Sequence, residues 1–234
     1  MSVPAGLPER RRYCAIIPAY REGPRIGRIV AEVLGQGIDA IVVDDGSDDN
    51  TAAVAEAAGA TVVRHPSNRG KGAALLTGFR EARTRGFEAA LTIDADGQHD
   101  AAEIPKFIEA YERTGIPVLV GTRLWSPEGM PWIRRGTNLL MSWLLSREMG
   151  QYVPDTQCGY RLYRVEALPR QPMDSARYAA ESEILLDMAA RGVRFASAPV
   201  RTIYRDEKSK INPVVDTLRF LGMMLRHAAR RKRG

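Results

Sequence analysis

Short apolar runs alternate with helical patterns along the first half of the chain, and this alternation limits the fold more than any other feature. Five runs rich in apolar and β-branched residues are predicted strands, at residues 13–17, 40–43, 61–63, 89–93 and 118–120. Four segments between them have apolar residues at helical spacing, at residues 26–34, 50–58, 72–85 and 102–113. Strands and helices that alternate at this interval favour βαβ units. We therefore expect an α/β fold with a mostly parallel central sheet and helices on both faces.

The regular alternation ends after Gly121. Beyond it the pattern predicts helices at residues 134–149, 181–191 and 213–231 and strands at residues 157–163 and 193–204, the last interrupted at Pro199. The sequence has no internal repeat and no linker rich in Gly, Ser or Pro. We expect a disordered segment at residues 1–12, one domain at residues 13–212, and an amphipathic basic helix and tail at residues 213–234.

The composition is that of an ordinary globular protein, with 44% hydrophobic and 26% charged residues. It excludes intrinsic disorder, a collagen-like repeat and a coiled coil as the main architecture. Cys14 and Cys158 are too few for a disulfide framework, so we expect both to be reduced, in a cytoplasmic protein. Residues 1–12 lack the apolar core of a secretory signal, and no apolar run reaches the roughly 18–20 residues of a spanning helix. We therefore expect any membrane association to be peripheral, at the inner face.

Positive charge is concentrated at the end of the sequence. Residues 201–234 hold ten Lys and Arg against three Asp and Glu, whereas the whole chain has a formal charge of +6. A near-neutral body with a basic tail favours docking to an anionic membrane surface, although a solvated helix with a basic end explains the composition equally well. The tail has no interleaved aromatic residues and no recognition motif, so we expect no nucleic-acid partner.

Polar clusters follow three of the predicted strands at the point where each strand ends. They are PAYRE at residues 18–22, DDGS at residues 44–47 and DADGQH at residues 94–99. In an open parallel sheet, ligands bind beyond the carboxyl ends of the strands. The three clusters therefore predict a functional site at one edge of the sheet.

The acidic pair Asp94 and Asp96 carries the most specific chemistry. Residues two apart project to the same side of an extended backbone, so both carboxylates can bind one cation, and Gln98 adds a neutral oxygen at the same spacing. Such oxygen ligands suit Mg²⁺ or Mn²⁺ held together with substrate phosphates. The alternative is an acidic turn that caps the helix beginning near Ala101, but Asp100 can do that capping unaided.

Two other polar features have plainer alternatives. Asp44 and Asp45 can accept hydrogen bonds from a nucleoside, but Asp-Gly-Ser is also a common turn composition. Lys71 lies in RGKG, which resembles a phosphate-binding loop, but Ala73 stands where Ser or Thr would follow. Lys71 is therefore either a ligand contact or a lysine in the first turn of a helix. No G-x-G-x-x-G follows the first strand, where a dinucleotide-binding fold would carry it.

Seven stretches complete the pattern, namely IIPAYRE, IVVDDGSDDNT, NRGKGAALLTGF, LTIDADGQHD, VGTR, DTQCGYRLYR and KSK. In this order, over residues 13–220, they resemble family 2 glycosyltransferases with the GT-A fold, most of all the dolichyl-phosphate (polyprenyl-phosphate) mannosyl- and glucosyltransferases. The resemblance implies a nucleotide-diphospho-sugar transferase fold. It also implies transfer of a hexose from GDP-mannose or UDP-glucose to a polyprenyl phosphate, by single displacement with inversion.

The same resemblance implies roles for individual residues. Those implied to hold the donor nucleoside are Pro18, Tyr20, Glu22, Asp44 and Asp45. Those implied to bind the divalent ion are Asp94, Asp96 and Gln98, with Ala95 and Lys71 as further donor contacts. Those implied to grip the acceptor phosphate are Arg123 and Arg135 (or Arg134), because a guanidinium fork matches phosphate oxygens. Asp96, Arg123 and Arg135 are accordingly predicted catalytic residues.

The late KSK segment departs from the family pattern. The mannosyltransferase branch has an arginine six residues before the lysine of its Ser-Lys pair, whereas here Tyr204 holds that position and Arg205 follows it. We predict that Arg205, Lys208 and Lys210 contact the donor diphosphate.

The type of acceptor decides whether a catalytic base is needed. A phosphate monoester, with a second pKa of about 6, is already a nucleophile at neutral pH, whereas a hydroxyl needs a positioned carboxylate. Family members that act on hydroxyls place an acidic residue where Glu181 and Glu183 stand, although glutamates also favour the first turn of any helix. Glu181 is kept as the base candidate. The open alternatives are a hydroxyl acceptor on a glycan or lipid and a non-catalytic nucleotide-sugar binding module.

Two apolar stripes bear on membrane association. One contains Leu139, Leu140, Trp143 and Leu144, flanked by Arg134, Arg135 and Arg147; the other contains Leu218, Phe220, Leu221 and Leu225, followed by a basic end. A basic amphipathic helix can lie among lipid headgroups, but core packing also explains both stripes. We favour core packing for residues 139–144 and attachment to lipid for the tail beyond Arg226.

Overall fold

The computed structural model describes residues 12–123, 132–169 and 180–201 and the helical positions Phe220, Gly222 and Met224. The predicted diphosphate contacts Arg205, Lys208 and Lys210, the side chain of Arg134, the tail beyond Arg226 and nearly all of the predicted disordered segment lie outside the described residues.

Seven strands form one sheet in these described parts of the chain. In chain order they are β1 (Tyr13–Ala19), β2 (Asp39–Asp44), β3 (Thr61–Arg64), β4 (Ala89–Thr92), β5 (Val118–Thr122), β6 (Arg161–Arg164) and β7 (Phe195–Pro199). Their order across the sheet is β3-β2-β1-β4-β6-β5-β7, and β6 runs antiparallel to both of its neighbours. The other pairs are parallel, which confirms the predicted sheet. The sequence does not predict the reversal of β6, because the residue pattern of a short strand does not depend on its direction.

Six α-helices cover the sheet within the described ranges. They are α1 (Gly23–Leu34), α2 (Thr51–Ala57), α3 (Lys71–Thr84), α4 (Ile104–Thr114), α5 (Trp132–Met149) and α6 (Ala180–Ala190). One core lies under α1, α2 and α4, and a second lies under α3, α5 and α6 on the other face. Successive residues of β1 serve the two cores in turn, since Ala15 and Ile17 join the first and Cys14 and Ile16 the second. The predicted helices on both faces are confirmed.

β1 runs through Pro18 to Ala19, so the predicted end of the strand before Pro18 is wrong. The neighbouring strand β4 pairs only with residues 13–16 of β1. Ile16 bonds to the β4 side and Ala19 to the β2 side, so the alternation along the strand turns the Pro18 nitrogen toward β4, beyond the end of that ladder. As a result β1 ends level with Asp44 of β2, and the polar residues that follow each strand begin at the same edge.

The outer side of α5 is apolar and exposed. Trp132, Leu139, Leu140 and Trp143 have exposed fractions of 81%, 45%, 53% and 55%, and we call these four residues the apolar face of α5. Core packing for residues 139–144 is therefore wrong at three of the four predicted positions, because the buried side of the helix uses other residues. Leu144 alone of the stripe packs against the second core.

The final predicted helix is described at three helical positions. Phe220 is buried against the second core, where Met224 also packs, so core packing holds at Phe220. Among the helices in the described residues, none combines the length and the apolar character needed to span a bilayer.

The close approach of α3 to β1 generates a stability prediction. A Cβ added at Gly78 would collide with Cγ2 of Ile16. We expect Gly78→Ala to lower the free energy of unfolding, since overpacking costs about 1–3 kcal/mol against about 1 kcal/mol gained in helix propensity. The matched control is Gly136→Ala in α5, where the added Cβ meets nothing within 4 Å and should raise that free energy by up to about 1 kcal/mol. Urea denaturation measures both, and an equal gain in the two variants would contradict this packing.

Candidate active site

The carboxyl ends of β1, β2 and β4 lie side by side, so the three predicted polar clusters meet at one edge of the sheet. The loops after β1 and β2 are joined by hydrogen bonds. The N–H of Arg21 donates to Ser47 Oγ at 2.9 Å, and the N–H of Glu22 donates to Thr51 Oγ1 at 2.9 Å. The third cluster, after β4, contacts the start of α3 through Asp94.

Lys71, the first residue of α3, joins two carboxylates that are distant in the sequence. Its Nζ lies 2.6 Å from Asp94 Oδ1 and 3.0 Å from Glu181 Oε1. The side chains are mostly buried, with exposed fractions of 24% for Lys71, 27% for Asp94 and 13% for Glu181. Burial alone would lower the pKa of Lys71, but the two carboxylates outweigh it and raise that pKa. Lys71 lies in the first turn of α3, as one of the two interpretations predicts, and it is also a bridging ammonium, which neither interpretation includes.

The acidic pair after β4 lies in a turn. Gly97 has a φ of 73°, in the left-handed region, and the N–H of Gln98 donates to Asp96 Oδ1 at 2.9 Å. The N–H of Asp94 donates to His99 Nδ1 at 3.2 Å. The expected extended backbone is therefore wrong from Ala95 onward, whereas a cation shared by the two carboxylates stays a prediction. The two carboxylates nevertheless remain close enough to interact electrostatically.

Asp100 caps the helical turn that follows, by accepting a hydrogen bond from the N–H of Ala102 at 2.9 Å. The capping role considered for this acidic segment is thus filled by one residue. Helix capping therefore does not explain Asp94 and Asp96, which lie on either side of the buried Ala95.

The two acidic side chains have opposite pKa shifts. Burial would raise the pKa of Asp94, but the charges of Lys71 and His99 outweigh it and lower that pKa to about 2. Burial and the negative charge of Asp94 raise the pKa of Asp96. The negative charge of Asp96 is therefore only partly compensated by its surroundings, and a divalent cation bound there would stabilise the ionised carboxylate.

A divalent ion shared with a diphosphate fits this donor set. Within the described ranges, no three His, Cys, Asp or Glu residues form a group that could hold a metal by themselves. Mg²⁺ needs no such group, because it is usually bound by one or two carboxylates and completes its shell with water and substrate phosphates. Asp94 and Asp96, with the amide of Gln98, supply ligands of that kind.

Asp45 uses its carboxylate inside the protein. Oδ1 lies 2.7 Å from His65 Nδ1 and accepts a hydrogen bond from the N–H of Arg69 at 3.0 Å, and Oδ2 accepts one from the N–H of Gly70 at 2.7 Å. Gly70 is the residue that precedes Lys71 and caps α3, with a φ of 90°. Asp45 therefore positions Lys71, and contact with a nucleoside stays a prediction for it.

Asp44 is fully buried and holds the turn that follows it. It accepts a hydrogen bond from the N–H of Ser47 at 3.0 Å, across Gly46, whose φ is 73°. Its Oδ2 accepts no hydrogen bond but lies 3.2 Å from Nε of Arg64, so its charge is paired. This geometry favours the turn interpretation of Asp44 over nucleoside binding.

The residues after β1 differ in their access to solvent. Tyr20 is 38% exposed, with the guanidinium of Arg21 5.2 Å from its ring centre. Pro18 is half-buried in β1, and Glu22 is largely buried and accepts a hydrogen bond from Arg25 at 3.1 Å. Of the predicted nucleoside contacts, Tyr20 is the one that a ligand reaches most directly from solvent.

The two arginines predicted to bind the acceptor phosphate have different surroundings. Arg123 follows β5 and forms a buried bidentate pair with Asp155, with Nε 2.8 Å from Oδ2 and Nη2 2.9 Å from Oδ1. Arg135 is exposed on the outer side of α5. Their joint role in binding the acceptor phosphate stays a prediction. Arg135 keeps the predicted role more easily, because Arg123 already has a buried carboxylate partner.

Arg161 is a site residue that the sequence interpretation missed. It is fully buried, and its guanidinium donates to the carbonyl oxygens of Cys158 at 2.8 Å, Thr156 at 2.8 Å and Glu181 at 2.9 Å. Arg161 thereby fixes the start of α6 where the Glu181 side chain meets Lys71. The available signal is the position of Arg161 between aromatic and apolar residues in YRLY, where a buried charge needs several partners.

Comparison with known proteins agrees with this architecture. The model of Glycosyl transferase family 2 matches residues 14–170. A UDP-N-acetylglucosamine–dolichyl-phosphate N-acetylglucosaminyltransferase of Methanococcus voltae is 30% identical over 214 residues, covering 82% of this chain and 85% of that protein. A polyprenol monophosphomannose synthase of Mycolicibacterium smegmatis is 28% identical over 218 residues, covering 87% and 82%. Glucosyl-3-phosphoglycerate synthase from Mycobacterium tuberculosis, solved with Mn²⁺ and uridine diphosphate, has a TM-score of 0.66 at 22% identity, covering 89% of this chain and 75% of that one.

The sheet, its two helical layers and the acidic edge define a protein of the GT-A fold. The chain belongs to glycosyltransferase family 2 and is a glycosyltransferase that resembles the polyprenyl-phosphate sugar transferases. The resemblance predicted from the motifs is confirmed. The alternative of a non-catalytic binding module is set aside.

The buried pair of Arg123 and Asp155 generates a second prediction. Removal of one partner leaves the other charge buried, which typically costs about 3–5 kcal/mol. We expect Arg123→Ala to lower the free energy of unfolding by about that amount, whereas Arg135→Ala, at an exposed position, should change it by less than about 0.5 kcal/mol. Guanidinium denaturation measures both. Equal stability of the two variants would show that Arg123 is not held by Asp155.

Proposed function

We propose that this glycosyltransferase moves a hexose from a nucleoside-diphosphate sugar, GDP-mannose or UDP-glucose, to a polyprenyl phosphate of the dolichyl type. The observation that carries the proposal is the acidic pair Asp94 and Asp96 at the carboxyl end of β4, beside Lys71. Such an edge suits a sugar diphosphate held through Mg²⁺ or Mn²⁺. The names of the Methanococcus and Mycolicibacterium relatives specify a dolichyl phosphate and a polyprenol monophosphomannose, which supports the lipid phosphate as acceptor.

Asp94, Asp96 and Gln98 would hold the divalent ion together with the donor diphosphate. When bound, the ion would supply Lewis-acid stabilisation of the charge on the departing nucleoside diphosphate. Tyr20 is the best-placed nucleoside contact, because it is the exposed member of the predicted set. Arg205, Lys208 and Lys210, which lie outside the described residues, stay the predicted cationic contacts of the diphosphate.

A phosphate acceptor is consistent with the state of Glu181. The second pKa of a phosphate monoester is about 6, so the acceptor is an anionic nucleophile at neutral pH and needs no base. Glu181 lies 3.0 Å from Lys71 Nζ, so its carboxylate is already engaged in an ion pair with that ammonium. Attack from the side opposite the diphosphate, by single displacement, inverts the anomeric carbon. Arg135, exposed on α5, would receive the acceptor phosphate.

A donor screen tests the function directly. Nucleoside-diphosphate release is recorded with Mn²⁺ for GDP-mannose, UDP-glucose and UDP-N-acetylglucosamine, each with and without a short polyprenyl phosphate. The expected result is release from one donor that rises only when the lipid phosphate is present. Release at the same rate with and without the lipid phosphate would favour a hydroxyl acceptor on a glycan or lipid. Glu181 would then be the candidate base to test. No release from any donor would contradict the proposal.

The metal assignment yields a variant prediction. Asp96→Asn removes a charged ligand of the proposed ion, and a Lewis acid contributes several kcal/mol, so transfer should fall by at least about 100-fold. Asp187→Asn is the matched control, because Asp187 pairs with Arg191 at 2.7 Å on the surface of α6, away from the acidic edge. Initial rates at saturating Mn²⁺ are compared. Equal activity of Asp96→Asn and the wild type would remove Asp96 from the metal site.

We further propose that the enzyme works as a peripheral protein at the cytoplasmic, inner face of the membrane. The apolar face of α5 supports this location, because Arg135 and Arg147 are exposed on the same helix and the Arg147 guanidinium lies 5.9 Å from the Trp143 ring centre. Tryptophan and leucine side chains enter the headgroup region readily, and each Arg near anionic lipid contributes about 1 kcal/mol. An anionic bilayer surface is therefore the partner that matches this face.

Vesicle binding tests the location. For vesicles that contain phosphatidylglycerol, Trp143→Ser should weaken binding more than about tenfold, since a large buried apolar side chain contributes about 1.5–3 kcal/mol. Arg147→Gln should weaken it about fivefold, the equivalent of one lipid-facing charge. The charge-matched control is Arg113→Gln on α4, which lies on the opposite face of the sheet. Co-sedimentation gives the affinities, and equal effects of the two arginine substitutions would exclude α5 as the lipid contact.

A further inference from the structure

One ammonium is shared among several carboxylates at the edge of the sheet. Lys71 Nζ contacts both Asp94 and Glu181, at 2.6 Å and 3.0 Å. Asp96 adds a third carboxylate in the same electrostatic neighbourhood. The buried Arg161 is a second cation near Asp94 and Glu181, but three carboxylates still exceed two positive charges, so the cluster has capacity for a further cation.

The position of Lys71 is not explained by its helix. It is the first residue of α3, where the positive end of the helix dipole disfavours a cation, and the first turn contains no acidic residue. The carboxylate of Asp45 fixes the preceding Gly70, and Arg161 fixes the backbone of Glu181. These contacts place the ammonium between its two partners, so the partners account for its presence there.

A divalent ion at Asp94 and the ammonium of Lys71 compete for the same carboxylate. Nζ lies 2.6 Å from Oδ1, and the backbone of Gly159 passes close to the whole carboxylate, since an added Cβ would be 2.9 Å from Oδ2 and 3.2 Å from Oδ1. Two cations on one mostly buried carboxylate repel each other strongly. A divalent ion bound at Asp94 would therefore favour release of this carboxylate by Lys71, for which Glu181 would remain available as a partner.

We propose that Lys71 is an exchangeable internal counter-ion, which occupies the divalent-cation position beside Asp94 and withdraws to Glu181 when Mg²⁺ or Mn²⁺ binds. This inference rests on the metal site of the proposed function and adds the element that regulates it. Lys71 lowers the affinity for metal alone, and a donor diphosphate offers the displaced ammonium a second anionic partner. Metal and nucleoside diphosphate consequently bind cooperatively, each raising the affinity for the other by the same factor.

Direct Mn²⁺ binding to the full chain, followed by electron paramagnetic resonance without nucleotide, tests the exchange. Lys71→Met should bind Mn²⁺ about tenfold more tightly than the wild type, because the ion no longer has to displace the Lys71 ammonium from Asp94. Lys71→Arg keeps the charge and should stay close to the wild type. The matched control is Lys106→Met, which removes a lysine paired with the buried Glu103 at 2.9 Å on α4 and should leave Mn²⁺ binding unchanged. Unchanged or weaker Mn²⁺ binding by folded Lys71→Met would overturn the inference.

Glu181→Gln provides a second, independent arm. Without its alternative partner, Lys71 remains on Asp94, so this variant should bind Mn²⁺ more weakly than the wild type. In the Lys71→Met background the same substitution should have little further effect, whereas a simple sum of through-space charges would give the same loss in both backgrounds. If Lys71→Met does not fold, an unchanged Mn²⁺ affinity of Glu181→Gln overturns the inference by itself.

Nucleotide cooperativity separates this inference from the proposed function. Addition of uridine or guanosine diphosphate should raise the Mn²⁺ affinity of the wild type more than that of Lys71→Met. Hexose transfer by the wild type, together with equal cooperativity in both proteins, would sustain the function and overturn the counter-ion role. The expected difference in cooperativity, in a protein that transfers no hexose, would support the counter-ion role of Lys71 and overturn the proposed function.

Discussion

The shared ammonium of Lys71 is the interaction on which the arrangement of the acidic edge depends. Asp94 comes from the loop after β4 and Glu181 from α6, and both carboxylates are mostly buried. Buried charges of one sign are strongly destabilising unless each has a partner, and Lys71 serves both. The segments that meet here are not hydrogen-bonded to each other as strands of the sheet. Charge pairing and the hydrogen bonds of Arg161 to backbone carbonyls hold them together, and the charge-paired part of such a site can exchange one cation for another without a change in the scaffold.

The antiparallel strand β6 connects this edge to the rest of the fold. Its first residue, Arg161, lies between β4 and β5 in the sheet and donates to Thr156 and Cys158 in the preceding segment and to Glu181 in α6. Just before that segment, Asp155 pairs with Arg123 at the end of β5. The reversed strand and the segment before it therefore bring the buried polar side chains of Asp155, Thr156 and Arg161 to the end of β5 and the start of α6. This explains how residues far along the chain complete a site that begins at β1.

The parallel part of the fold and the location of the site could be predicted from the sequence, because both depend on local patterns. Apolar runs identify β1, β2 and β4, and polar residues at their carboxyl ends identify the edge. The contacts of Lys71 with Glu181, and of Arg123 with Asp155, join residues whose neighbourhoods contain no sign of each other, so no local pattern predicts them. The turn at Gly97 was missed for a related reason, since a two-residue spacing implies a shared face only where the strand continues.

In the proposed function, the outer side of α5 would link the acceptor to the membrane. Arg135 and Leu139 are four residues apart in an exposed helix and so lie on the same side, one turn from each other. A polyprenyl phosphate joins an anionic headgroup to an apolar chain, and this surface offers a guanidinium next to leucine and tryptophan side chains. A hydroxyl acceptor on a soluble glycan would need neither the exposed guanidinium nor the apolar surface. The exposure of the four side chains in the apolar face of α5 would then have no explanation. The apolar face of α5 therefore bears on the choice of acceptor as much as on the location of the enzyme.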